Sequence, residues 1–175
     1  STDRFEARAS FDAYCAQLGA RAPVASLKQV VDSRTASPGV QQAMEMEMAI
    51  EDALNHPDYK DGMLAREKLR QAVVARMAQL RLDAIMYPLQ RVLVAPAGEA
   101  EQPERNGVLS HGTGFPAVTF PGGFSEPTAT APIGVPVGAE LLGRDFSEAL
   151  LLSLAFSFEQ IAHVRKPPAS TPPLR

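Results

Sequence analysis

Proline and glycine divide this chain unevenly: twelve of its fifteen prolines and nine of its twelve glycines lie beyond Met86. Proline removes a backbone donor and fixes φ, and both residues destabilise helix interiors. Helices are therefore expected to dominate the first part, and strands, turns and close backbone approaches are predicted for the second. A chain of 175 residues can bury one sizeable core, so a single unit is expected. Within it, residues 1–82 read as mainly helical, 83–165 as strands plus a closing helix, and 166–175 as an extended proline-rich tail.

Composition narrows the function classes. An apolar share of 45% and a charged share of 21% are those of a soluble globular chain. No stretch approaches the roughly 18 apolar residues of a membrane span. A formal net charge of −3, with both signs mixed along the chain, gives no footprint for a phosphate backbone, so neither a membrane nor a nucleic-acid partner is expected. No basic and then apolar leader opens the chain, which says little for a piece of a longer protein. The one cysteine, Cys15, lies in a helical apolar pattern and reads as a buried thiol, which fits a cytoplasmic location.

Four helices are predicted first. Phe11, Tyr14, Cys15 and Leu18 recur at helical spacing before Gly19, a common helix stop. A short helix fits Ser26 to Ser33. Pro38 and Gly39 open a third, whose Met44 and Met48 are read as packing residues, since the glutamates among them are hard ligands unsuited to a thioether metal site. The fourth places Leu69, Val73, Met77 and Leu80 on one face. Asp83 to Pro88 then reads as a short buried strand. After a polar loop from Pro96 to Asn106, Ala117–Phe120 and Ile133–Leu141 suit strands, the second demanding a bulge, an edge or a closely pressed backbone. Asp145-Phe146-Ser147-Glu148 resembles a capping box, with Asp145 accepting from the first turn. It opens a helix whose Leu151, Leu154, Ala155, Phe158 and Ile161 form a wide apolar face that expects cover on more than one side.

Several motifs fail on context. Gly112-Thr113-Gly114-Phe115-Pro116-Ala117 matches the dinucleotide fingerprint, but that motif must follow a strand and open a helix, whereas Pro116 leads into a strand. His111-Gly112-Thr113-Gly114 has the look of an esterase oxyanion loop, yet no G-x-S-x-G elbow accompanies it. His56, His111 and His163 stand apart, and no paired Cys or His spacing offers a metal face, so no metal or other cofactor is expected. Ser1 has no constellation around it to support an N-terminal nucleophile.

From Asp83 onward the chain carries an ordered set of short motifs. They are Asp83-Ala84-Ile85-Met86-Tyr87-Pro88, Arg105-Asn106-Gly107, Thr113 to Phe124, Pro136 to Glu148, Phe158-Glu159-Gln160, Pro167-Pro168 and Thr171-Pro172-Pro173-Leu174. In this order they resemble the final segment of amidase-signature enzymes. The resemblance is firm over about the last half of the chain. It implies an α/β fold class, the carboxyl-terminal part of the amidase-signature fold: N-terminal helices followed by a few strands of a mixed sheet and a packed C-terminal helix.

The same resemblance implies amide hydrolysis by a serine nucleophile, a second serine held by a cis peptide, and a lysine, with the serines in a Gly/Ser-rich segment upstream of the region matched. No Gly-Gly-Ser-Ser run exists here, and Lys28, Lys60, Lys68 and Lys166 lack the family's context. No catalytic residue is therefore carried over, and the chain alone is expected to be inactive. His111, Thr113, Gly114, Phe115 and Met86 are the expected pocket-wall residues, with Tyr87 a further candidate beside Met86. The implied partners are the upstream catalytic part of the same amidase and a small-molecule amide. Exposed strand edges and the apolar helix face predict homo-oligomers of the isolated chain. The alternative is a non-enzymatic interaction or ligand-binding module. A self-contained serine hydrolase is the weakest reading.

Overall fold

The computed structural model describes residues 2–96, 104, 106, 108–167 and 171. Most of the 97–107 loop, including Arg105 and Gly107, and most of the proline-rich tail lie outside the described residues. The chain forms two compact units, residues 1–68 and 69–175, with the division falling inside one helix.

The first unit is helical. Helix α1 (Asp3–Leu18) ends where Gly19 takes φ +53°, a conformation that glycine adopts at little cost. Helix α2 (Leu27–Ser33) begins at Ser26, whose hydroxyl accepts from the Gln29 N–H at 3.3 Å. Helix α3 (Pro38–Met48) places proline in its first turn, where no amide donor is needed. Helix α4 (Pro57–Leu80) starts in this unit. Phe5, Cys15 and Leu27 are buried, and Phe5 stacks against His56 and Tyr59 with ring centroids 5.3 and 5.7 Å away. The Tyr59 phenol donates to Glu6 at 2.8 Å.

The second unit is a three-layer sandwich. Helix α4 closes at Arg81, which takes a left-handed φ of +53° while the Leu82 N–H donates back to the Met77 carbonyl at 2.8 Å. Strand β1 (Ile85–Pro88), helix α5 (Val108–Thr113), strand β2 (Ala117–Phe124), strand β3 (Pro136–Leu142) and helix α6 (Glu148–Ala162) follow. The sheet order is β1-β3-β2, and both pairings are antiparallel. Alternation splits the sheet into two faces. On one, Val73 and Met77 of α4 pack with Phe115 and Leu142, joined by Leu82, Ile85, Tyr87 and Leu109. On the other, Leu151 and Ala155 of α6 pack with Phe120 and Leu141, joined by Val118, Ala139 and Phe158.

Two expectations are corrected, and a third, for Ile133–Leu141, is met by one of its alternatives, the closely pressed backbone. Leu80 is exposed rather than part of the α4 core stripe, because the helix ends there and Leu82 turns inward in its place. The bulge falls in β2, between Pro121 and Gly123, while β3 is the regular central strand. Close approach is nonetheless real at Gly134: a Cβ there would lie 2.1 Å from the Ser125 carbonyl oxygen at φ +78°. Asp145 does not cap α6. It pairs with Arg70 at 2.8 Å, Ser147 takes the N-cap position, and the Ser147 hydroxyl donates to the Arg144 carbonyl at 2.7 Å. A guanidinium is the stronger partner for a carboxylate than a helix-end amide.

Candidate functional site

Sequence patterning shows no helix at residues 108–113, because Gly112 and the short span hide any periodicity, yet this is where the polar groups of the second unit converge. Helix α5 is six residues long, too short to be stable by itself. Its neighbours hold it. Thr113 is fully buried, its hydroxyl donating to the Leu109 carbonyl at 2.7 Å and accepting from the Phe115 N–H at 3.2 Å. Gly114, at φ +67°, ends the turn as its N–H donates to the Ser110 carbonyl at 2.8 Å.

Two further anchors fix the helix. Arg70 of α4 donates to the Thr113 carbonyl and to Asp145, and its guanidinium lies 4.4 Å above the Phe115 ring centroid. One side chain thus neutralises a helix-end carbonyl, an acid and an aromatic face. Beneath α5, Tyr87 and Glu140 stand directly opposite each other on β1 and β3, and the Tyr87 phenol donates to the Glu140 carboxylate. Glu140 is only 6% exposed. Burial, followed by the bond to Glu140, pushes the Tyr87 phenol above its ordinary value, while Ser110 of α5 hydrogen-bonds to the same phenol and opposes that shift.

His111, Thr113, Gly114 and Phe115 therefore share one short segment, with Thr113 and Phe115 turned into the core and His111 exposed. Met86 is separated from them. It lies 62% exposed opposite Leu141, on the α6 face of the sheet, while its neighbour Tyr87 faces α5. Sequence reading named Tyr87 only beside Met86 and missed Arg70, Ser110 and Glu140. Strand alternation was the available signal for separating Met86 from Tyr87, whereas the Arg70 contact depends on tertiary placement. A separate cleft of about 410 Å³ opens where the chain leaves β1, walled by Leu89, Val92, Val94, Pro136 and Val137. No group of acidic, histidine or cysteine side chains suited to a metal occurs among the described residues, and none of the described helices is long and apolar enough to cross a membrane. The bonds around α5 join a phenol, a carboxylate, a guanidinium and backbone groups, a set that fixes a shape.

No protein-family model matches the chain. It is similar to a glutamyl-tRNA(Gln) amidotransferase subunit from Moorella thermoacetica, 46% identical over 56 residues that make up 31% of this chain and 10% of that protein. A probable amidase of Arabidopsis thaliana is 25% identical over 163 residues, 93% of this chain and 29% of the relative. Among solved structures, the native peptide amidase of Stenotrophomonas maltophilia superposes with a TM-score of 0.71 at 26% identity, covering 95% of this chain and 34% of that one. The chain thus spans about a third or less of the length of these relatives.

Proposed function

We propose a function from one premise: this chain belongs to the amidase-signature family and represents a partial segment of it. On that premise it is the carboxyl-terminal structural and substrate-pocket segment of an amide-hydrolysing enzyme. It works as one piece with the upstream polypeptide, which supplies the nucleophilic serine, the second serine and the lysine. The substrate is a small-molecule amide, the location is cytoplasmic, and the isolated chain is inactive. The observation that carries this reading is the asymmetry of coverage, nearly all of this chain against about a third of the peptide amidase.

The geometry around α5 supports the role. A pocket wall must hold its shape without reacting, and preorganised positioning is worth several kcal/mol to a catalyst. Helix α5 is held by Arg70 at one end and by the bond between its Ser110 and Tyr87, which in turn donates to Glu140, so His111 projects from an anchored support. The test is to join this chain to the polypeptide encoded upstream in its reading frame. The joined protein should hydrolyse simple amides while this chain alone does not. A reading frame that encodes no Gly/Ser-rich segment and lysine upstream would end the proposal.

One observation favours a second reading, a non-enzymatic interaction module: Leu152 and Phe156, one turn apart on α6, are exposed together, and Ile161 is exposed on another side of the helix. An exposed apolar patch of this kind recruits partners. For the isolated chain it supports self-association, to be read by light scattering over a concentration series, with a strict monomer throughout counting against it.

A further inference from the structure

A second cleft, of about 370 Å³, lies away from α5, at the end of the sheet where β2 bulges. Its walls are Pro121, Phe124, Pro136 and Val137, and Arg165 and Lys166 stand at its rim. The β2 bulge opens this space: Gly123 takes φ +144°, and a Cβ added there would meet no atom within 4 Å. Among the described residues no acid lines the cleft. Among them, too, neither Arg165 nor Lys166 forms a salt bridge, and the Lys166 ammonium rests 5.4 Å above the Phe124 ring centroid.

We propose that this cleft binds a small carboxylate with an apolar body, its hydrocarbon against Phe124, Pro136 and Val137 and its charge between Arg165 and Lys166. Three features select that chemistry. The volume is at the small end for ligand pockets, which run from roughly 300 to 1,000 Å³. The walls are largely hydrocarbon, so a body without polar groups loses nothing on entering. Two neighbouring cations with no acid between them favour an anion, and the guanidinium fork matches a carboxylate with two parallel bonds. The cation over the aromatic face fixes Lys166 at the rim before any ligand arrives. This site is separate from the α5 wall and does not depend on the chain being part of an amidase.

The test is an amide-resolved NMR titration of the 175-residue chain with hexanoate, with hexanamide and hexylammonium as matched probes. Hexanoate should shift the amides of Gly123, Phe124 and Val137 and bind at least roughly tenfold more tightly than either control, the worth of a charge-assisted bond. The double variant Arg165→Gln, Lys166→Gln should lose that preference while the remaining sheet amides keep their positions, and Lys166→Arg should retain it. Equal binding of hexanamide, unchanged affinity in the double variant, or no shift at millimolar hexanoate would overturn the proposal. So would the same shifts appearing without ligand as the protein is concentrated, since the cleft would then be taken by a second copy.

Discussion

Tyr87 and Glu140 illustrate how one buried pair imposes a stability signature. Replacing Tyr87 with phenylalanine leaves the buried Glu140 carboxylate without its phenol donor, and an abandoned buried acceptor costs about 1–3 kcal/mol. A urea titration of Tyr87→Phe should show a loss of that size, and an unchanged midpoint would mean the pair contributes nothing. The pH dependence has a definite sign. The folded protein raises the Tyr87 phenol above its ordinary value near 10, so the contribution is complete below that pH and declines as pH rises through and beyond it. Alkaline titration of stability should therefore be shallower in Tyr87→Phe than in the parent chain. Arg70 makes a sharper residue-level prediction. Arg70→Lys should be nearly as damaging as Arg70→Ala, about 1–3 kcal/mol, because a lysine cannot reach the Thr113 carbonyl and Asp145 together while stacking on Phe115. Asp145→Asn should cost less than about 1 kcal/mol, since that acid is half exposed. Urea midpoints for the three variants give the order, and full rescue by lysine would refute the forked contact.

At the scale of elements, the α6 surface separates two kinds of apolar residue. Leu151 is 1% exposed and packs with Phe120 and Leu141, so Leu151→Ala should cost about 2–5 kcal/mol. Phe156 and Ile161 are 62% and 82% exposed, and their replacement by glutamine should move stability by less than about 0.5 kcal/mol while reducing self-association in light scattering. Parallel losses in all three variants would mean that Phe156 and Ile161 are packed after all. The elements that sequence patterning revealed are those with strong local signals: Gly19 after α1, Ser26 before α2, Pro38 at the head of α3, and the apolar spacing of α4 and α6. Three short strands between proline and glycine stops were legible for the same reason. Helix α5 was not, because six residues with an internal glycine carry no periodicity and its stability comes from Arg70, Tyr87 and Glu140, which lie far away in sequence. The Asp145 cap failed similarly, a local motif overruled by a distant guanidinium. The proposed wall residues His111 to Phe115 are contiguous in the sequence, while the bonds of Ser110, Glu140 and Arg70 around them required the fold.

At the scale of the whole molecule, the proposed role is that of the non-reactive part of a larger amide-cleaving fold, since the chain matches nearly all of itself but about a third of a peptide amidase. Its two units supply helices and one face of anchored polar groups, and among the described residues Leu152, Phe156 and Ile161 of α6 remain exposed. The measurement that tests this role most directly is labelling of the pure chain by a fluorophosphonate probe, read beside amide turnover under the same conditions. No covalent label and no turnover above the uncatalysed rate are expected. A stoichiometric serine adduct together with enzyme-like amide hydrolysis by these 175 residues alone would contradict it.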